Sequence, residues 1–308
     1  MNKLLTILLF FLSLSLVGCK AQQTDIPMTS ISPTNKQVLI IAHRGARSLA
    51  PENTLSSAQK GLEVGADGWE LDVAMTVDNE LVVLHDDTLN RTSNVATVFP
   101  NRRPWEVHLF TLAELRSLDF GSWYNQTDPF KQIKEGNVSE ADQQSYINTQ
   151  IPTLREALEF TKTNQWHVNV EIKDLTGKPG DPIVVEKVVA LIGELEMENR
   201  VLISSFNQSY LVRVKKANPQ LETAVLVSQP DSDPVALLNR LDASAYNPTA
   251  KIANQDQFNA LRAAGYDIYV WTVNDEQTMK QMIAMGATGI FTDYPQVLKK
   301  VLTNQSGK

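Results

Sequence analysis

Residues 255–302 read QDQFNALRAAGYDIYVWTVNDEQTMKQMIAMGATGIFTDYPQVLKKVL, and this stretch decides the fold class. Apolar residues recur at helical spacing over 255–264, and a short run rich in Ile, Tyr and Val follows at 268–272. The pair repeats at 276–285 and 289–292, before a last helical pattern at 295–302. Ala264-Gly265-Tyr266 and Gly286-Ala287-Thr288-Gly289 mark the helix-to-strand junctions, where a left-handed residue commonly ends a helix. Helices alternating with short apolar strands describe β/α units around a parallel sheet.

The same rhythm runs back towards the N terminus. Strands are expected at 38–42, 68–73, 168–172, 201–205, 223–227 and 243–247, with helices at 54–64, 153–163, 182–198, 208–217 and 234–241. With the two units above, eight repeats predict an α/β fold, a closed (β/α)8 TIM barrel occupying 37–308. Two segments break the rhythm. A hairpin is expected over 73–85, with Asp78-Asn79 as its turn pair. An irregular insertion after strand 2 covers about 92–150, with one helix-like piece at 112–118 and a polar run at 131–144. Because it follows a strand's carboxyl end, the insertion is expected beside the active-site face, as a cap on the substrate entrance.

The chain has 308 residues, 43% hydrophobic and 20% charged, enough apolar material for one large domain. Its formal charge of -7 argues against a nucleic-acid partner, so any phosphate-bearing substrate must be met by local cations. Cys19 is the only cysteine, which excludes an intramolecular disulfide, a thiolate metal cluster and a cysteine nucleophile in the domain. Lys3 precedes an apolar run at 4–17 that falls short of the ~20 residues of a membrane span, so 1–18 read as a signal peptide. The run ends in Leu16-Val17-Gly18-Cys19, which resembles the lipobox of bacterial lipoproteins. That resemblance implies lipidation of Cys19, with 19–36 as a flexible tether. The expected location is the cell envelope, anchored to a membrane on its periplasmic or extracellular face, and Lys20 is compatible with the outer membrane.

Chemistry-bearing residues gather at expected strand ends. Ile41-Ala42-His43-Arg44-Gly45 sets a titratable imidazole beside a permanent cation whose planar fork matches phosphate oxygens. In Gly68-Trp69-Glu70-Leu71-Asp72-Val73, strand alternation sends Glu70 and Asp72 to one face. In Val168-Asn169-Val170-Glu171-Ile172-Lys173 it adds Glu171 and Lys173. Three carboxylates at one barrel mouth repel unless a cation lies between them, and an all-oxygen set favours a hard divalent ion, Ca2+ or Mg2+. Lys173 would help neutralise the phosphate. The hairpin returns His85 to the level of Asp72, converting sequence distance into proximity. His167, at the entry end of its strand, and His108, in the insertion, are read as structural. Glu52 is expected to orient Arg44 or cap the first helix, and Asn53 or Thr54 to supply a helix-start oxygen.

Taken together, His43-Arg44-Gly45, Pro51-Glu52-Asn53-Thr54, Gly65-Ala66-Asp67, Glu70-Leu71-Asp72-Val73 and the His85–Thr92 run resemble the glycerophosphodiester phosphodiesterase family. Ile151-Pro152-Thr153-Leu154, Glu171-Ile172-Lys173, Trp271-Thr272-Val273-Asn274 and Thr292-Asp293-Tyr294-Pro295 carry the resemblance to the end of the chain. It implies a TIM-type barrel, His43 and His85 as general acid and base, Arg44 on phosphate, and a divalent metal on Glu70, Asp72 and Glu171. The implied reaction is hydrolysis of a small-molecule glycerophosphodiester to sn-glycerol 3-phosphate and an alcohol, with either histidine as the base. Trp271 is a further candidate for substrate contact. Lysophospholipase D-like or teichoic-acid-directed cleavage are variants of the same chemistry. A non-catalytic surface binding lipoprotein is the rival of another class, and loss of a histidine or metal carboxylate would mark it; none is lost.

Overall fold

A computed structural model of the chain describes residues 38–306. The signal peptide, Cys19 and the tether expected at 19–36 lie outside the described residues. The strands are β1 (Leu39–Ala42), β2 (Gly68–Met75), β3 (Leu81–Val83), β4 (His167–Ile172), β5 (Val201–Ser205), β6 (Glu222–Val227), β7 (Ala245–Pro248), β8 (Asp267–Val270) and β9 (Gly289–Thr292). All but β3 run parallel, and β1 pairs with β9 on one side and with β2 on the other, closing the (β/α)8 barrel. Among the described residues no helix is long and apolar enough to cross a membrane.

Strand alternation builds two cores. Trp69, Leu71 and Val73 of β2, with Val168, Val170 and Ile172 of β4, pack in the layer between sheet and helices. Ile41, Leu202, Ala224, Ala245, Tyr269 and Phe291 fill the lower lumen, so the barrel is a packed core and not a pore. Gly289 is needed there, because a Cβ would lie 2.6 Å from Tyr269 Cδ1. Above that plug the lumen turns polar towards β1, β2 and β4, with His43, Glu70 and Glu171, and stays apolar towards β6 and β8, with Leu226 and Trp271.

Neighbour pairing, more than local propensity, sets element ends. The strand expected at 243–247 is Ala245–Pro248, and the one expected at 268–272 is Asp267–Val270, beyond which Trp271 keeps only an isolated bridge to Thr249. The helix expected at 182–198 is Val184–Glu194; Glu196 turns left-handed (φ 53°) after it.

The insertion is more structured than its sequence suggests. It holds the short helices Val95–Val98, Leu112–Leu115, Ser122–Thr127 and Glu140–Tyr146, the last inside and just beyond the expected polar run. Val95, Val107, Phe110 and Leu115 bury Val82 and Leu84 of the hairpin. Tyr124, Val138 and Tyr146 pack on Leu49 and Ala50, which follow β1. Each such buried side chain contributes roughly 1.5–3 kcal/mol, so the insertion braces the two chain segments that carry the histidines.

Candidate active site

The turn after β1 is forced into shape from several sides. Arg44 and Gly45 both have positive φ (53° and 77°), and a Cβ on Gly45 would lie 2.4 Å from Ser57 Oγ. The Arg44 N–H donates to Glu70 Oε2 (2.7 Å), while its carbonyl accepts from Asn53 N (3.0 Å) and Ser57 Oγ (2.9 Å). A left-handed arginine costs roughly 1–3 kcal/mol and persists because its surroundings over-determine it. The result holds His43 at the barrel mouth. Thr54, not Asn53, caps the helix Leu55–Glu63, since its hydroxyl accepts from Ser57 N. Asn53 is spent on Asp72, donating from Nδ2 to Oδ2 at 2.8 Å.

Both histidines are held through Nδ1 by an aspartate. His43 Nδ1 lies 2.6 Å from Asp293 Oδ1, and His85 Nδ1 lies 2.8 Å from Asp86 Oδ1. An ionised carboxylate at Nδ1 fixes the proton there, leaving Nε2 of each ring for chemistry. The aspartates are held in turn: Asp293 by Asn274 Nδ2 (2.7 Å) and Arg47 Nε (2.7 Å), Asp86 by Arg91 Nε (2.6 Å). Burial lowers the His43 pKa below its ordinary value, outweighing the pull of Asp293. Asp293 stays well below the usual carboxylate range: burial opposes ionisation, but His43, Arg47 and Asn274 overcome it.

The β2–β4 register pairs Asp72 with Glu171 and Glu70 with Asn169, and one oxygen from each of Glu70, Asp72 and Glu171 lies within 4.8 Å of the others. Burial, then the charges of Asp72 and Glu171, push the Glu70 pKa well above the ordinary range. Asp72 is driven the other way; burial opposes this, but Arg44 and Lys173 prevail. Lys173 Nζ sits 3.1 Å from Glu171 Oε1 and 3.7 Å from Asp72 Oδ1. Asp72 Oδ1 is buried without a hydrogen-bond donor. Fully ionised, Glu52, Glu70, Asp72, Asp86, Glu171 and Asp293 outnumber Arg44, Arg47, Arg91 and Lys173 by two charges, the amount one divalent cation neutralises. The donor set is all oxygen, which suits a hard ion.

These groups face one cavity of about 110 Å³. His43, Arg44, Glu70, His85, Glu171 and Lys173 line one side, and Phe206, Leu226, Trp271 and Phe291 line the other. Asn169 and Ser204 lie between, joined by a 2.8 Å hydrogen bond. Asp72 is buried behind the charged side. Trp271 both lines the cavity and is fixed by packing chemistry, its Nε1 donating to Asn247 O at 2.7 Å. Arg44, expected to meet phosphate, reaches the cavity while its Nη1 also donates to Glu52 Oε1 at 2.8 Å. His85 reaches the site because Leu84 N donates to Asp72 O (2.9 Å), which sets the hairpin register.

Sequence reasoning gave no role to Asp86, Asp293, Arg47, Arg91, Asn274 or Phe206. Asp86 had a local signal, being next to His85. Asp293 had only its place in the Thr292–Pro295 motif, with nothing to tie it to His43, since 250 residues separate the two and only barrel closure unites them.

The sequence profile of the glycerophosphoryl diester phosphodiesterase family matches residues 43–297. A glycerophosphodiester phosphodiesterase of Bacillus subtilis is 32% identical over 98% of this chain and 99% of its own. One from Caldanaerobacter subterraneus subsp. tengcongensis is 34% identical over 85% of this chain and 96% of its own. Among solved structures, an Oleispira antarctica phosphodiesterase in complex with the product sn-glycerol-3-phosphate superposes with a TM-score of 0.71 at 29% identity, covering 89% of this chain and 98% of that one.

Proposed function

The chain belongs to the glycerophosphoryl diester phosphodiesterase family and is by that membership a phosphoric diester hydrolase; on that premise we propose that it cleaves glycerophosphodiesters to sn-glycerol 3-phosphate and an alcohol, with His43 and His85 as its acid/base pair. The observation that carries this reading is the pair of Asp-held imidazoles facing one cavity with Arg44, Lys173 and three clustered carboxylates. One Nε2 takes a proton from the nucleophile, either water or a glycerol hydroxyl whose cyclic phosphate water then opens, and the other gives a proton to the leaving alkoxide. Burial lowers the His43 pKa, which favours the neutral form that a base requires. Arg44 and Lys173 meet the phosphoryl oxygens. Glu70, Asp72 and Glu171 would hold Ca2+ or Mg2+, which when bound supplies positive charge where the phosphoryl group gains negative charge.

The decisive measurement is release of glycerol 3-phosphate from glycerophosphocholine and glycerophosphoethanolamine, with and without added Ca2+ or Mg2+. Activity that survives full chelation, or no release from any diester, refutes the reading. The exposed Phe206 beside Trp271 favours a second substrate class, lysophospholipids, whose chains would lie along that side. Kinetics that improve with acyl length would identify it.

Anchoring is part of the same proposal. Lipidation at Cys19 would place the enzyme at an envelope membrane, where glycerophosphodiesters arise from lipid breakdown. Cys19→Ser is expected to move the protein to the soluble fraction and abolish labelling by a fatty-acid probe; unchanged fractionation and labelling would refute the anchor.

A further inference from the structure

Glu52 lines no part of the cavity, yet three arginines converge on it. Its Oε1 accepts from Arg44 Nη1 (2.8 Å) and Arg91 Nη2 (2.6 Å), and its Oε2 from Arg91 Nη1 (3.0 Å) and Arg47 Nη1 (3.3 Å). Two of these arginines continue to the histidines. Arg47 Nη2 donates to Asp293 Oδ2 at 3.2 Å, and its Nε forms an ion pair at 2.7 Å with Oδ1, the oxygen that holds His43 Nδ1. Arg91 Nη2 donates to Asp86 Oδ1 at 3.0 Å, the oxygen that holds His85 Nδ1. A single buried carboxylate therefore stands at the centre of a continuous run of charge-assisted bonds from one imidazole to the other.

The insertion closes this hub from outside. Trp123 lies against the Arg91 guanidinium (5.9 Å to the ring centroid) and Phe130 against that of Arg47 (5.2 Å). The Tyr124 hydroxyl donates to Ser48 O, and that of Tyr146 to Leu49 O at 2.8 Å, tying the same segment to the turn beside Arg47. A cap that only shaped the entrance would need neither aromatic to face an arginine behind the histidines.

We propose that Glu52 is the positioning residue for both histidines, setting His43 through Arg47 and Asp293 and His85 through Arg91 and Asp86, with the insertion's Trp123 and Phe130 clamping the two arginines. This rests on the diester-hydrolase reading. Guanidinium forks are rigid, so a central carboxylate with two oxygens can fix the two arms relative to each other. A one-ångström misplacement of either ring is enough to cost about 100-fold in rate.

The test begins with glycerol 3-phosphate release by the wild-type enzyme at saturating divalent metal; no release there condemns the hydrolase reading and leaves the positioning to the NMR arm. Glu52→Gln is expected to lower kcat roughly 10–100-fold with KM within about twofold. Adding Arg91→Gln to it should cost less than about twofold more, because both changes break one network. Imidazole Nδ1 proton resonances of His43 and His85, read by NMR without substrate, should both shift in Glu52→Gln. Trp123→Ala should lower kcat severalfold and shift the His85 resonance. If Glu52→Gln does not fold, Arg91→Gln, whose side chain is 42% exposed, and Arg47→Gln carry the same readouts, each shifting its own histidine. Full kcat per folded enzyme, multiplicative losses in the double variant, or unmoved resonances would overturn the proposal and leave Glu52 as a loop staple.

Discussion

The two sides of the cavity come from different halves of the barrel and are built on different principles. Strands β1, β2 and β4, with the hairpin, supply the charged side, where each group is fixed by hydrogen bonds or ion pairs. Strands β5, β6, β8 and β9, or the residues just after them, supply an apolar side in which Phe206 is 42% exposed and held by edge contact with Trp271 at 5.4 Å. Chemistry that must be placed within tenths of an ångström sits where the network is dense. Under the proposed reading, the substrate's carbon groups, which tolerate looser contact, would meet the opposite side.

Removing either imidazole is the hardest blow to the charged side. His43→Ala and His85→Ala should each lower kcat by roughly 10²–10⁴-fold without unfolding the protein, as expected for loss of a general acid or base. Circular dichroism alongside a product assay checks both points. Retained activity in either variant would remove the distinction between a chemical and a shaping side. Metal is the next test. Glu70→Gln should cost roughly 10²–10³-fold, and a thermal stabilisation by Ca2+ or Mg2+, expected in the wild type, should vanish in the variant. A metal-dependent melting shift that survives Glu70→Gln would move the ion elsewhere.

The charged side should also be the acid-sensitive one. Burial opposes ionisation of Glu52, but Arg91, Arg44 and Arg47 draw its pKa down from 4.5 to about 2. A carboxylate depressed in this way adds stability that is fully present above its unfolded pKa and is lost as pH falls through the folded value. About 3 kcal/mol is at stake, from roughly 1.4 kcal/mol per pKa unit. The stability gap between wild type and Glu52→Gln should therefore be widest above pH 5 and narrow between about pH 4.5 and 2, as followed by denaturant unfolding at stepped pH. A gap that stays constant would mean the carboxylate is not ionised in the hub.

How much of this could be read beforehand follows the same division. Glu70, Asp72 and Glu171 were legible because strand alternation has a period of two and needs no knowledge of distant residues. His85 was legible through the turn at Asp78-Asn79, where Asn79 takes φ 64°. The barrel itself was legible from its repeated units, but strand ends were not, since Trp271 leaves β8 when its neighbour no longer pairs. The insertion's helices, of four to seven residues, are too short to show a helical period. Phe206 follows β5 as any core phenylalanine might, and its exposure arises only from what the opposite strands leave uncovered.

The two aspartates give a finer contrast within the charged side. Asp293 is buried and accepts from His43, Arg47 and Asn274, whereas the Asp86 side chain is a quarter exposed and close to water. Asp293→Asn should lower kcat roughly 100-fold and Asp86→Asn roughly 10-fold, because solvent can replace part of what the second loses. Equal losses would show that both arms depend on the protein matrix alike.

The smallest effect should come from the apolar side, and its form matters more than its size. Trp271 is anchored by Asn247, whereas Phe206 is 42% exposed and meets the Trp271 ring edge-on, so Phe206→Ala should remove an exposed edge without disturbing the histidines. Apolar surface that the ring covers on bound substrate is worth roughly 25 cal/mol per Å², so a contact of a few tens of Å² predicts a KM raised about 2- to 10-fold with kcat unchanged, the signature of binding lost equally in ground and transition states. If Phe206 packs against glycerol carbons, the change should be the same for glycerophosphocholine and glycerophosphoethanolamine. If it supports an acyl chain, the change should grow with chain length across a lysophospholipid series. A fall in kcat at constant KM would place Phe206 with the reacting groups and erase the division of labour between the two sides.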